Sequence, residues 1–193
     1  MNLAEVAIAT ALAWGAGLRA YAVIFAVGLA GYMGWMALPG HLEVLQHPLV
    51  LGASGFMTLV EFGADKLPWL DNIWDAIHSF IRVPAGAALA GLVFADSGAA
   101  VTVAAAILGG GLAAAVHATK AGTRAALNLS PEPVSNWTAS LTEDALVPFG
   151  LWLAVVHPIA FFVLLALLLV GAIVLARFLW KGLAALGQRL RPG

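Results

Sequence analysis

Residues 14–20 read W14-G-A-G-L-R-A20 and place an arginine inside the most apolar part of the chain. The surrounding apolar stretch, residues 3–38, is longer than the roughly 17 to 25 residues with which a helix crosses a bilayer. Glycines next to a charged side chain favour an interruption at this point. We predict a short helix, a break between Gly15 and Arg19, and a second segment that ends at Pro39-Gly40. One long tilted helix is the alternative.

The composition is that of a membrane protein. Of 193 residues, 62% are hydrophobic and 10% are charged, whereas soluble domains carry about 25% charged residues. Apolar runs long enough to cross a bilayer recur along the chain, so we expect an all-α, polytopic membrane protein with a single domain, residues 1–193. The absence of cysteine excludes disulfides and thiolate chemistry. The net charge of −1 points to no class of partner, and we expect no nucleic acid among them.

About six segments are expected to cross the membrane. Those beyond residue 38 are residues 48–64, 84–95, 99–119 and two helices within 144–176 that meet at His157-Pro158. Residues 69–82 carry polar and apolar side chains on separate helical faces, which is typical of an amphipathic helix at the membrane interface or of a lid over a site. Residues 128–142 contain two prolines and many hydroxyl groups, and they are expected to form a loop that can re-enter the membrane.

The basic residues predict an orientation. Six crossings would place the connections that contain Lys66, Arg82, Lys120 and Arg124 on the same side as both chain ends. Four more basic residues follow Ala176 near the C-terminus. Because basic residues concentrate in cytoplasmic connections, we expect both the N- and the C-terminus in the cytoplasm.

A short motif occurs twice. A16-G-L-R19-A precedes His47-Pro48, and A121-G-T-R124-A precedes His157-Pro158. With three crossings between equivalent points, the second copy would be inverted, which predicts two inverted-topology repeats, about 1–95 and about 97–193. Inverted repeats place the binding site of many transporters near the middle of the bilayer. The alternative is a chance match in sequence rich in small residues, with both arginines reaching towards the membrane surface.

A first group of ionisable residues follows the segment at 48–64. Glu61 and Asp65 are four residues apart on one helical face, and oxygen-rich side chains suit hard divalent cations, with histidine widening the range to manganese or zinc. The candidate metal ligands are Asp71, Asp75 and His78. The alternative is an ion-paired turn at the membrane boundary, in which Arg82, His78 and Lys66 neutralise the carboxylates.

A second group lies around residue 120. His117, Lys120 and Arg124 follow one another at i, i+3 and i+7, and together with Asn136 they resemble a site for phosphate or carboxylate. Ordinary cytoplasmic basic residues that meet lipid head groups are the alternative. Glu143 and Asp144 are expected near a helix N-terminus, where the helix dipole favours carboxylates.

The longest motifs resemble a known family. Residues 61–86, E-F-G-A-D-K-L-P-W-L-D-N-I-W-D-A-I-H-S-F-I-R-V-P-A-G, together with K120-A-G-T-R-A and S130-P-E-P-V-S-N-W, are similar to small bacterial multi-pass membrane proteins that share a domain of unknown function. The resemblance covers nearly the whole chain. It implies a helical protein of the bacterial inner membrane and carries no activity with it.

Three functions are compatible with these patterns. The first is a small secondary transporter or channel-like carrier of an ion or small anionic solute, with its site between two inverted halves. In it Arg19 and Arg124 would bind an anion or balance Glu61, Asp65, Glu143 and Asp144 in ion coupling, and a homodimer would enlarge the cavity. The second is an enzyme or flippase that handles a lipid phosphate with a divalent cation, and the third is a structural or accessory membrane protein. Enzymatic activity is not favoured, because G-x-S-x-G, H-E-x-x-H and P-loop signatures are missing.

Overall fold

A computed structural model describes the backbone of residues 2–127 and 133–189, with all side chains in these ranges except residues 68, 69, 71, 72, 133, 176 and 178–189. Within these ranges the fold is all-α. The helices are α1 (Leu3–Tyr32), α2 (Pro48–Ala64), α3 (Pro68–Val93), α4 (Ala99–Leu127), α5 (Pro133–Val156) and α6 (Pro158–Arg189), with short 3-10 helices at Gly40–Gln46 and Ala95–Ser97. All but α2 contain a stretch long and apolar enough to cross a membrane. The predicted multi-pass, all-α membrane protein is confirmed.

Helix α1 reverses its direction at Arg19. The backbone of Arg19 is not helical, with φ −149° and ψ 81°. A methyl group on Gly15 would lie 2.7 Å from Cγ2 of Val23. Residues eight positions apart in a straight helix are separated by about 12 Å along its axis, so the two arms of α1 must fold against each other. The break predicted between Gly15 and Arg19 is confirmed, and the single tilted helix is wrong.

The fold-back makes α1 a re-entrant hairpin. Ile8 of the first arm and Ala30 of the second line the same cavity together with Val155, at the end of α5. The second arm runs antiparallel to α2, since a methyl group on Gly55 would lie 3.0 Å from the Phe25 ring and one on Gly28 would lie 3.0 Å from Cδ2 of Leu51. Both ends of α1 therefore lie at the end of the bundle where α5 stops, and Arg19 lies at the tip in the interior.

The amphipathic segment at 69–82 is not a separate interfacial helix. It is the first half of α3, and Pro84, which was expected to start a new span, lies inside the helix. A proline inside a membrane helix is tolerated where neighbouring groups satisfy the freed backbone carbonyl. The polar face predicted to lie at the membrane surface instead points inward, because Asp75, His78 and Arg82 are buried.

The segment at 128–142 is also corrected. Residues 133–142 form the first turns of α5 rather than a re-entrant loop, while residues 128–132 lie outside the described part of the chain. Proline in a first helical turn costs no hydrogen bond, so Pro133 is compatible with a helix start. Of the polar residues here, Asn136 and Ser140 are buried in the bundle, whereas Thr138 and Thr142 are exposed.

The inverted repeat is not confirmed. Because α1 folds back, only α2 and α3 cross the bundle between the two copies of the motif. In both copies the chain enters from the same end of the bundle, passes an arginine in the interior, and returns to the His-Pro pair. Two crossings leave the copies facing the same way, whereas an inverted repeat needs an odd number.

The first arm of α1 packs in the centre of the bundle. One face places Ala9, Leu12 and Ala13 in a buried core with residues of α3. On the other face Trp14 meets Phe161 edge to face, with ring centroids 6.3 Å apart. Small residues allow this close approach, as is usual where membrane helices pack.

Two glycines of α4 offer a test of this packing. A methyl group on Gly109 would lie 2.5 Å from Cβ of Ala90 and 2.8 Å from the Gly86 carbonyl oxygen, whereas one on Gly111 meets nothing within 4 Å. We expect Gly109→Ala to lower the stability by about 1–3 kcal/mol through overpacking. Gly111→Ala should be neutral or slightly stabilising, because alanine is the better helix former. Thermal unfolding in nanodiscs would measure both, and equal effects would contradict the packing of α3 on α4.

Candidate functional site

Ten charged side chains from five helices and one turn form a continuous network, which we call the ionic cluster. Its members are Arg19, Glu61, Asp65, Lys66, Asp75, Arg82, Lys120, Arg124, Glu143 and Asp144. Five are basic and five acidic, so the formal charge is zero. Every lysine and arginine before Arg177 belongs to the cluster. The bundle has therefore drawn most of its charge into one interior region, at about the middle of α3 and α5.

Arg19 connects the tip of α1 to the rest of the cluster. Its guanidinium lies 2.9 Å from Oδ2 of Asp65 and 2.9 Å from Oδ1 of Asp144. It also donates to Oγ of Ser140 at 3.0 Å, across 121 positions of sequence. Arg19 is only 2% exposed, so it does not reach towards either membrane surface.

Asp65 is paired with three cations of the cluster, Arg19, Lys120 and Arg124. It follows α2 directly, outside the candidate spans, and its Oδ2 also accepts from Nζ of Lys120 at 3.0 Å. Burial raises the pKa of the Asp65 carboxyl, but the charges of Lys120, Arg19 and Arg124 outweigh burial, so the pKa lies below its usual range. Asn136 supports the turn by donating from Nδ2 to the Asp65 carbonyl at 3.1 Å.

The basic stripe of α4 faces protein carboxylates. Lys120 and Arg124 lie 3.2 Å and 3.1 Å from Oε2 of Glu143. Arg124 also donates to the backbone and side-chain oxygens of Asn136. In the structure these groups bind each other, and Lys120 and Arg124 are at most 4% exposed. A phosphate or an anionic solute would have to displace a carboxylate to reach them.

Glu143 and Asp144 do not lie at a helix N-terminus. Helix α5 begins at Pro133, so both residues are near its middle. Their partners are Arg19, Lys66, Lys120 and Arg124, and not the first free N–H groups of a helix. The helix dipole that was expected to explain them therefore plays no part, because its effect fades beyond the first turn.

Arg82 holds the second part of the cluster. It donates from Nη2 to Oε1 of Glu61 at 2.7 Å and from Nη1 to Oδ1 of Asp75 at 2.5 Å. Nη1 also lies 2.9 Å from Nδ1 of His117. A guanidinium can only donate, so Nδ1 accepts and His117 is a neutral imidazole with its hydrogen on Nε2. That hydrogen is directed to Oγ of Ser79 at 2.8 Å, so His117 cannot act as a base towards this serine.

His78 belongs to a neighbouring pair. Its Nδ1 lies 2.8 Å from the Trp74 carbonyl and therefore donates, and its Nε2 lies 3.2 Å from the hydroxyl of Tyr21. Among the described residues no group of three or more histidine, aspartate or glutamate side chains could hold a metal ion. The side chain of Asp71 lies outside the description.

Three carboxylates of the cluster have an oxygen with neither a hydrogen bond nor an ion pair among the described residues, and Nε of Arg82 is a donor without a hydrogen-bond partner there. The oxygens are Oε2 of Glu61, Oδ1 of Asp65 and Oδ2 of Asp75, and each residue is at most 2% exposed. Buried polar atoms are nearly always satisfied in folded proteins. The cluster therefore still contains oxygens that can accept a hydrogen bond, and such oxygens attract protons or cations.

Nine of the ten residues of the ionic cluster are predicted as site residues from the sequence, and Lys66 is expected there only as a counter-charge. The contacts of Tyr21, Ser79 and Ser140 with the site residues are not predicted from the sequence. Tyr21 is one of two tyrosines and stands two positions after Arg19, which was the one available signal for it. Serines inside helices occur without any such role, so nothing in the sequence marked Ser79. Ser140 fits a capping box with Glu143, which predicts a helix start there, but it lies inside α5.

The sequence was compared with known proteins. No curated protein and no solved structure matches it. The model of one family, described as a domain of unknown function (DUF4126), matches residues 6–178. This match covers both arms of α1, the whole ionic cluster and most of α6. The chain therefore belongs to the DUF4126 family.

Proposed function

We propose that the protein is a small secondary carrier of protons or other small cations, in which the ionic cluster senses the ion and the α1 hairpin moves. One observation carries the proposal: a re-entrant helix ends on a buried network of charges about halfway through the bundle. Interrupted helices that meet at membrane depth are the usual framework of transport sites. Irregular backbone is tolerated there where protein or a water-filled cavity surrounds it.

The energetic balance supports a function beyond stability. Insertion of a single charged side chain into a membrane centre costs about 2.5–3.5 kcal/mol. Buried ion pairs can often be replaced by apolar residues with no loss of stability. A network of ten charges is therefore an expensive way to hold helices together, and ion coupling gives a reason to keep it.

The partners of the charges favour a cation over an anion. Arg19, Lys120 and Arg124 are each within 3.2 Å of a carboxylate oxygen. The buried carboxylates Glu61 and Asp75, by contrast, have acceptor oxygens to spare. A proton or small cation can join such a network directly, whereas an anionic solute must first break an ion pair.

The surroundings of α1 leave it room to move. Its arms border two apolar, partly open cavities of about 450 and 500 Å³, one against α5 and one against α3 and α4. The second cavity is lined by several small side chains, among them Ala13, Ala90 and Ala105. The arms of the hairpin pack in the apolar core and its tip is held by charged contacts, so neutralising one of those contacts releases the tip and lets the hairpin rock.

The fold-back changes the expected orientation. The 17 residues of α2 are at the lower limit of a span, and counting α2 with α3 to α6 after the re-entrant α1 gives five crossings, which put Leu3 and the end of α6 on opposite faces. The basic residues that follow Ala176 favour a cytoplasmic C-terminus by the positive-inside rule. We propose a protein of the bacterial inner membrane with Leu3 on the outer side, and a homodimer stays a prediction.

Ion flux into proteoliposomes tests the proposal. The protein is reconstituted in phosphatidylethanolamine and phosphatidylglycerol with a pH-sensitive dye inside, and gradients of protons, sodium or potassium are imposed. We expect flux from the wild type and a decrease of about tenfold or more in Arg19→Gln, which keeps hydrogen-bonding groups but removes the charge at the hairpin tip.

Arg177→Gln is the matched control, because Arg177 is exposed and lies outside the cluster. Its flux should equal that of the wild type. Both variants are first compared with the wild type by thermal unfolding, so that loss of fold is not taken for loss of transport. Wild-type flux no faster than that of empty vesicles in every gradient, or equal flux in Arg19→Gln, would refute the proposal.

A further inference from the structure

We propose that Glu61 and Asp75 together bind one proton, which they share across the guanidinium of Arg82. This inference rests on the proposed function and names the coupling ion and its place. The two carboxylates come from different helices, α2 and α3, and meet only through Arg82. Protonation would therefore change how firmly α2 is held to α3.

Within the ionic cluster, the pair Glu61 and Asp75 has the least positive charge close to it. Glu61 and Asp75 face one guanidinium at 2.7 Å and 2.5 Å. The other carboxylates, Asp65, Glu143 and Asp144, are paired with four cations, Arg19, Lys66, Lys120 and Arg124. Two carboxylates that share one positive charge in a buried site cannot both ionise without cost, so one proton is the natural balance.

The neighbouring groups do not supply the missing charge. Lys120 lies 3.7 Å from Oδ1 of Asp75, but it is closer to Asp65, at 3.0 Å, and to Glu143, at 3.2 Å. His117 accepts from Arg82 and is therefore neutral. On the side of α1, the ring nitrogens of His78 are directed to the hydroxyl of Tyr21 and to the Trp74 carbonyl, and not to Glu61 or Asp75.

The atoms that would receive the proton are free. Oε2 of Glu61 and Oδ2 of Asp75 have no hydrogen-bond partner in the described part of the chain. The proton arrives from water, forms an O–H bond at one of these oxygens, and leaves by the reverse step, so no electron transfer is involved. Because the two groups interact through Arg82, the proton belongs to the pair and not to one residue.

Infrared difference spectroscopy tests the inference on the full chain in nanodiscs of phosphatidylethanolamine and phosphatidylglycerol. Spectra recorded on stepwise acidification should show the C=O stretch of a protonated carboxylic acid that corresponds to one proton per chain. We expect this band to be lost in Glu61→Gln and in Asp75→Asn, since each leaves one carboxylate for one guanidinium. Glu43→Gln, an exposed carboxylate outside the cluster, should retain it.

A second measurement uses the unchanged protein, in case a variant fails to fold. Labelling glutamate or aspartate side-chain carboxyls with ¹³C should shift the band to lower frequency in at least one of the two samples. A band that persists in both variants, or that is absent from the wild type, would overturn the inference. A titrating band without ion flux would refute the proposed function alone, whereas flux without the band would refute the shared proton alone.

Discussion

Asp65→Asn should lower the free energy of unfolding by about 3–5 kcal/mol, the cost of removing one partner from a buried ion pair. Asp65 pairs with Arg19 and Lys120 at 2.9 and 3.0 Å and is fully buried. Asparagine has nearly the same shape, so the loss is that of charge and not of packing. Steric trapping in bicelles or reversible unfolding in mixed micelles would measure it.

A control variant and a second-site change show whether the loss of stability comes from the lost ion pair or from the removal of any carboxylate. Asp96→Asn removes an exposed carboxylate that lies 3.2 Å from His41, and exposed pairs contribute only about 0–1 kcal/mol. Asp65→Asn leaves the cluster with one excess positive charge, so adding Lys120→Met, which removes a cation paired with Asp65, should restore part of the stability. If Asp65→Asn were no more harmful than Asp96→Asn, Asp65 could not be the centre of the cluster.

Arg82→Met is expected to have an effect of similar size, about 3–5 kcal/mol, but with the opposite dependence on pH. It leaves Glu61 and Asp75 buried without their counter-charge. Acidification neutralises both carboxylates, so the variant should regain stability as the pH falls. The wild type should instead lose stability in acid, because its carboxylates are held by cations. Unfolding measured across a pH series distinguishes the two.

Two further variants complete this experiment. The triple change Arg82→Met, Glu61→Gln and Asp75→Asn removes all three charges and should recover much of the stability at neutral pH, since no charge stays unpaired. Arg177→Met deletes an exposed arginine and should have little effect at any pH. An Arg82→Met variant that becomes less stable on acidification would show that the carboxylates do not depend on Arg82.

The sequence predicted the helices better than their arrangement. Patterns of apolar length located most of the segments, since the thickness of the bilayer sets how long each must be. The break near Arg19 was visible because glycines and a charge interrupt an apolar run. The direction that the chain takes after the break was not, since the same residues permit either a kink or a full reversal. The helix start predicted at Pro84 was wrong for a related reason, because a proline fits both a helix start and the interior of a membrane helix.

The sequence indicates most residues of the candidate site, but it does not indicate which of them pair with each other. An ionisable residue in an apolar chain attracts attention because burying it is costly. Its partner cannot be read in the same way: Arg19 pairs with Asp65, Glu143 and Asp144, which come from two other regions of the chain. Two charged groups that looked like separate sites, one for a metal and one for an anion, proved to neutralise each other.

By itself the sequence determined that this is an all-α membrane protein with a helix broken near Arg19 and with costly charges in its interior segments. These properties depend on local composition and on the thickness of a bilayer. Only the tertiary structure decided that α1 turns back inside the bundle and that ten charges balance in one cluster. The physical reason is that Coulombic attraction depends on distance in space, and only packed helices bring residues as far apart in sequence as Arg19 and Asp144 to 2.9 Å.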